Sequence, residues 1–370
     1  MSWLFGWKRR LPFTIAASKV DATLTHFPVL LLIQASSGID NTDLTPIFDE
    51  LGTESLKIAV TDADGTTERY VEVVSWDSVN EVAELWVSRS DYSLSSSVNN
   101  VGYIYFDKDH VDNTSYVGVT GSTLAQAVWN SNFKLVSHMN DNPDTSSIKD
   151  STSNGNDGTK KAVNEPIETD GQIGKAQEYD IINDKITVLH DETLDITTES
   201  FALECWVNPS DISNYPYLFE KTLWSTYGYA LQIYPTGAVW FGTIFNGGYD
   251  LTKSYGDISI GSFYHIVAVR EGTVGKIYIN GVDRTASSDA IADLGSSAAR
   301  ALQIGTSIFS GILDEARFIK GVAPSPAWVG ASYETQRDQF INYGAFETEF
   351  PGMLMNLAIK ERRISLRSVE

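Results

Sequence analysis

The groups in this chain best placed to do chemistry are carboxylates gathered on short, bent stretches. In Asp150-Ser151-Thr152-Ser153-Asn154-Gly155-Asn156-Asp157-Gly158-Thr159, Asp150, Asn154 and Asp157 share one glycine-rich loop. A hard cation such as calcium takes oxygen ligands from bends of this kind. The same residues also suit a turn in which Asp and Asn side chains cap their own backbone. Asp62-Ala63-Asp64-Gly65 begins like a calcium loop but lacks the later ligands and the closing glutamate, so a hairpin turn is expected there. Glu178 and Asp180 alternate along one strand, with Asn183 where a third carboxylate would stand. Retaining glycoside cleavage needs a nucleophile and a separate acid about 5 Å apart, and this spacing lacks one of them.

Other catalytic patterns are missing. The five histidines, His26, His110, His138, His190 and His265, are scattered singly, and no nucleophile elbow, paired-histidine metal motif, phosphate loop or dinucleotide fingerprint occurs. Cys205 is the one cysteine, which excludes an intrachain disulfide and, with the histidines scattered, disfavours zinc; inside Phe201 to Val207 it reads as a small buried residue. The chain is therefore expected not to be an enzyme. Aromatic residues crowd one stretch, Trp224, Tyr227, Tyr229, Trp240, Phe245 and Tyr249. Trp224, Tyr227, Trp240 and Tyr249 are the candidates for stacking on a ligand; the alternative is that such rings alternate into a core.

These groups need a scaffold, and the composition describes it. A chain of 370 residues exceeds one ordinary core, so two domains are expected. Aliphatic and aromatic residues make up 42%, with nine Trp, seventeen Tyr and sixteen Phe, which suits packed sheets. The net charge of -21 opposes phosphate backbones and anionic membranes, so nucleic acid is not an expected partner. No run of about 18 apolar residues appears, and the start Met1 to Arg10 places its charges after a short apolar stretch, the reverse of a secretory signal. The chain reads as folded in a cytoplasm.

Short apolar or alternating runs separated by turns extend from Trp7 to about Trp129, the rhythm of an antiparallel sandwich. The pattern loosens between Tyr116 and Asn132, where Ser122 to Trp129 suits a short helix or linker. It resumes from Phe133 to about Tyr333 with eight or more strands, enough for a jelly roll. Ser325 ahead of Pro326 predicts a terminal helix. The expected domains are 1–130, 131–340 and a tail, 341–370. Lys360, Arg362, Arg363 and Arg367 make the tail locally basic, which suits docking on an acidic neighbour or a frayed terminus.

Several segments resemble the laminin-G-like, concanavalin A-like family. They are the Asp150 to Thr159 loop; Gly171-Gln172-Ile173-Gly174-Lys175-Ala176 with Asn183 to Val188; Phe201-Ala202-Leu203-Glu204-Cys205-Trp206-Val207; Tyr264 to Arg270; Lys276 to Gly281; and Phe309 to Arg317. Trp7 to Ile15, Ala22 to Leu30 and Leu85-Trp86-Val87 resemble a domain of unknown function that precedes this jelly roll in bacterial and phage proteins. The resemblance implies an all-β chain: an N-terminal antiparallel β-sandwich, then a concanavalin A-like (laminin-G) jelly roll with a short C-terminal helix and tail.

It also implies that one calcium ion sits at the sheet rim, with Asp314 or Glu315 joining Asp150, Asn154 and Asp157. Jelly-roll glycosidases of the laminarinase type carry E-x-D-x-x-E, which Glu178 to Asn183 does not complete. The resemblance implies adhesion or decoration of an assembly, and the start of the chain and its basic tail favour a virion structural protein (head decoration, spike or tail fibre) expected to touch other virion proteins, copies of itself in a homo-oligomer, and host glycans. The alternative is a cell-surface carbohydrate-binding adhesin; a glycan-cleaving enzyme is the third reading.

Overall fold

The computed structural model describes residues 2–349 apart from 224–225, 246–247 and 292–299; Trp224 and the basic stretch within 350–370 lie outside the described residues. The first domain is a nine-stranded sheet that folds over its own core. Its strands run in the order Asn342–Tyr343, Arg9–Ile15, Asn100–Phe106, Ile58–Asp62, Glu68–Asp77, Val82–Ser88, Val29–Ile33. The long strand Glu68–Asp77 serves both leaves: Arg69 pairs with Val60, whereas Tyr70 to Asp77 pairs with Val82–Ser88. Leu11, Phe13, Ile58, Val71, Leu85 and Ile104 meet inside.

The second domain is a two-sheet jelly roll. The inner sheet orders Ile167–Asp170, Lys175–Asp180, Ser310–Lys320, Phe201–Asp211, Tyr264–Glu271, Val274–Ile279 and Val282–Asp283, with Phe133–Ser137 also on Ser310–Lys320. The outer sheet runs Ser147–Ile148, Gly158–Lys160, Ile186–Val188, Leu302–Ile304, Tyr217–Leu223, Tyr227–Ile233, Ala238–Phe245, Gly248–Gly256, Thr285–Ser288. Phe201, Leu203, Cys205 and Val207 face Tyr229, Leu231 and Phe241 across the core. Tyr229, read from sequence beside the exposed aromatics, is wholly buried and donates its hydroxyl to Leu194 O at 2.9 Å.

The two domains share a third core, and this explains runs that do not alternate. Val29, Leu31 and Ile33 enter the first core, while Leu30 and Leu32 from the same strand pack with Ala202, Val267 and Ile319 on the back of the inner sheet. A strand covered on both faces needs apolar residues at every position, which is what Val29-Leu30-Leu31-Leu32-Ile33 supplies. Helix α1 (Pro326–Gln336), capped by Ser325 Oγ accepting from Trp328 N, lies in the same seam. It sends Ala327 and Ala331 to the first core and Val329 to the shared one. The chain then returns to the first domain, where Asn342–Tyr343 and Glu347–Thr348 pair with Arg9–Ile15.

Candidate functional site

The back of the inner sheet is covered by the first domain, which leaves the open face of the outer sheet as the broad exposed sheet surface of the jelly roll. Side chains there are set by register. Tyr217, Gln232, Trp240 and Lys253 lie opposite one another across four strands. The next row on the same face is Glu220, Ala230, Gly242 and Leu251, and beyond it Ile244 faces Tyr249. Because Ala230 and Gly242 are small, the middle row is a trough between two taller ones. The result is a groove of about 230 Å³ lined by Tyr217, Gln232, Tyr234, Trp240, Ile244 and Tyr249 among others.

The rings in this groove have different tasks. Trp240 stacks on Tyr234 with centroids 3.5 Å apart and planes 11° apart, and Lys253 Nζ lies 4.1 Å from the Trp240 centroid. A parallel ring fills one face, so the ammonium must cover the other, and Trp240 presents its edge to the groove. Tyr249 is 52% exposed. Burial pushes the Tyr217 phenol up to about 12, so it stays a neutral donor and acceptor at physiological pH. Of the four aromatic candidates, the structure brings Trp240 and Tyr249 into the groove. It sets Tyr227 against Phe245, centroids 6.0 Å apart, and Trp224 lies outside the described residues. Tyr217, Gln232 and Tyr234 were not singled out from sequence.

The Asp150 loop closes on itself. Asp150 Oδ1 accepts from Val136 N and Thr152 N, and Oδ2 from Thr152 Oγ1 and Asn156 N, at 2.8 to 3.1 Å. Asp157 accepts from Asp150 N and Lys149 Nζ, and Asn154 donates to Phe133 O and Thr152 Oγ1. These are the bonds of a side-chain-capped turn. Asp314 shares none of these partners; it is buried and accepts from Ile173 N at 2.9 Å. Asp64 likewise caps Thr66 and Thr67 in a hairpin turn, and Asp180 accepts from Ile182 N while Glu178 stands exposed.

A second concentration of polar groups lies at the seam between the domains, and the sequence reading missed it as a group. His138 Nδ1 is 2.6 Å from Glu315 Oε1 and 3.6 Å from Glu84 Oε1; its Nε2 is 3.6 Å from Glu72 Oε2. Arg317 bridges Glu315 and, at 3.5 Å, Glu204, and lies 4.5 Å over the Trp86 ring. Glu204 Oε1 also accepts from His265 Nε2, Ser332 Oγ and Gln336 Nε2. Burial disfavours the His138 charge, but Glu315 and Glu72 outweigh it and hold the imidazole protonated well above its usual range. Burial works against Glu204 too, yet Arg317 and His265 keep it down at about 2. Glu84, desolvated and beside Glu315, is pushed up to about 7.

Residues 182–330 match the family described as the Concanavalin A-like lectin/glucanases superfamily, and the second domain is a concanavalin A-like jelly roll. No curated protein matches the chain in sequence. Among solved structures, the binding domain of Paraclostridial mosquitocidal protein 1 is similar at 16% identity over 55% of this chain and 52% of that one, with a TM-score of 0.44. The botulinum neurotoxin serotype D binding domain gives 18%, 57%, 53% and 0.44. Domain 4 of AbnA, an extracellular arabinanase from Geobacillus stearothermophilus, in complex with arabinotriose, gives 23%, 54%, 98% and 0.38. The match spans about half the length of the two toxin domains.

Proposed function

We propose that this protein is a non-enzymatic glycan-binding module, and that the groove on the outer sheet is where the sugar sits. The carrying observation is the groove's composition: the exposed Tyr249, a tryptophan edge, the Gln232 amide and the Tyr217 phenol around a floor made by Ala230 and Gly242. A pyranose offers an apolar face for stacking and a rim of hydroxyls for planar amides and phenols, and small-molecule sites combine apolar walls with a few polar groups in that way. The family matched at 182–330 is described by lectins and glucanases, which supports contact with carbohydrate. Glycan-array binding followed by calorimetry on Tyr249→Ala and Trp240→Ala tests it. Loss of binding in folded variants is expected; a wild-type protein that binds no glycan, or variants that bind as well as wild type, would refute it.

For the setting, we propose display on a larger assembly, a virion in the first instance and a cell surface in the second. The support is the basic group Lys360, Arg362, Arg363 and Arg367 on a chain of net charge -21, a segment suited to an acidic neighbour. Recovery in fixed ratio to a capsid or tail protein is the expected result, and absence from purified particles would overturn it.

A further inference from the structure

Five carboxyl groups are buried at the domain seam, on Glu72, Glu84, Glu204, Asp314 and Glu315, against the guanidinium of Arg317 and the imidazoles of His138 and His265. Even with both imidazoles charged, five potential negative charges face three positive ones on buried side chains. Buried charges are retained only when paired or neutralised. The excess must be met by protons or by a cation. Four atoms of these groups lack hydrogen-bond partners, Asp314 Oδ1, His138 Nε2, His265 Nδ1 and Arg317 Nε, all on side chains almost fully buried.

We propose that the seam holds a divalent cation of the zinc class, bound by His138 Nδ1, Glu84 Oε1 and Glu315 Oε1. This goes beyond the glycan reading and does not depend on it. Among the described residues, these are the three acid or histidine side chains whose ligand atoms all lie within 4.8 Å of one another. Imidazole with carboxylate oxygen suits zinc better than calcium, which takes oxygen alone. Zinc bonds of about 2.0–2.2 Å set tetrahedral ligands about 3.3 Å apart. The observed separations from His138 Nδ1, 3.6 Å to Glu84 and 2.6 Å to Glu315, bracket that value. The shorter one is a hydrogen bond whose proton the cation would displace, with Glu315 drawing back by about 0.7 Å.

The surroundings fit an outer shell. Metal-bound histidines hold their second ring nitrogen toward a carboxylate, and His138 Nε2 faces Glu72 Oε2. Glu72 is itself fixed by Trp129 Nε1, Ser151 Oγ and Thr120 Oγ1. Glu84 Oε1 accepts from Trp86 Nε1 at 3.1 Å, and Arg317 occupies Glu315 Oε2, leaving Oε1 toward His138. Glu84 also lines a cleft of about 250 Å³ between the domains, with Gln172, Gly174, Gln336 and Asp338. A Cβ at Gly174 would stand 2.6 Å from Glu84 Oε2, and one at Gly171 would stand 2.5 Å from Asp314 Oδ2, so the two glycines clear room for these acids.

Calorimetric titration of the chelator-stripped full chain with zinc, repeated in buffers of different ionisation enthalpy, tests this. The expected result is about one equivalent per chain with proton release. Cobalt in place of zinc should give visible bands that depend on His138. His138→Gln should abolish uptake. Glu84→Gln, which keeps the acceptor for Trp86, should weaken it about tenfold or more while circular dichroism and chelator-state melting show a folded protein. Asp150→Asn should bind as wild type does. No stoichiometric uptake by the wild-type chain, or uptake unchanged in folded Glu84→Gln, would overturn the site.

Discussion

Trp206 donates its indole N–H to Gln336 Oε1 at 2.7 Å, and the amide nitrogen of the same Gln336 donates to Glu204 Oε1 at 2.6 Å. One buried amide thus satisfies a donor and an acceptor on a single strand of the jelly roll, from a helix that also packs into the first domain. Gln336→Ala strands the indole and removes a bond from a buried carboxylate, a cost of about 1–3 kcal/mol. Chemical denaturation should show that loss. A change below about 0.5 kcal/mol would mean that water replaces the amide.

The seam also makes stability depend on pH from both sides. Glu204 is held from 4.5 down to about 2, so its contribution is present above 4.5 and lost as pH falls toward 2. Glu84 is raised from 4.5 to about 7, and Asp338 from 3.8 to about 6, by burial. Their contribution is complete below the unfolded values and lost as pH rises through the folded ones. In chelator the melting temperature should therefore peak near pH 4.5–5 and decline toward pH 7. Glu84→Gln should flatten that decline. A profile that rises from pH 5 to 8, or one the variant does not alter, contradicts the assignment.

Much of the scaffold was legible because its signals are local. Asn280-Gly281 reads as a two-residue turn, and the structure has both at positive φ, 52° and 77°, between the paired Ile279 and Val282. Ser325-Pro326 marks a helix start for the same reason. The groove was half legible. Trp240 and Tyr249 stand out by type, but Tyr217, Gln232 and Tyr234 join them only because register sets Ala230 against Gly242, and pairing across strands leaves no spacing rule in one strand. The seam was not read as a group, although Asp314 and Glu315 were named as calcium candidates. Its one signal was a charge inside each apolar run, Glu84 in Val82–Ser88 and Glu204 in Phe201–Asp211, and each of its histidines stood alone.

Two-sided burial of Val29–Ile33 gives a prediction that an ordinary half-exposed strand would fail. Leu31 is wholly buried in the first core and Leu30 is 2% exposed in the shared one. Truncating either leucine to alanine should cost about 2–5 kcal/mol. Leu30→Ala should also loosen the domain seam, seen as faster hydrogen exchange at Ala202 and Val267. If Leu30→Ala is close to neutral while Leu31→Ala is costly, the domains do not pack as described.

The return of the chain to the first domain makes residues 340–349 part of that domain's fold. Phe340, Ile341 and Tyr343 are buried in its core, and Asn342–Tyr343 closes the edge of Arg9–Ile15. Backbone bonds fasten the return at 2.8 Å, from Ile39 N to Ile341 O, Gly344 N to Pro12 O and Glu349 N to Lys8 O, and Arg10 pairs with Glu347 at 2.6 Å. A chain ending at Gln339 loses the buried side chains of Phe340 and Ile341, worth about 1.5–3 kcal/mol each, and that of Tyr343, together with the edge pairing. It also bares an edge strand, the usual route to sheet-to-sheet association. A chain ending at Glu349 keeps all of these contacts. The shorter chain should therefore denature at least about 3 kcal/mol more easily and form larger species in size-exclusion chromatography, whereas the longer should match the full-length protein. Equal stability of the two truncations would show that the first domain closes without the returning strands.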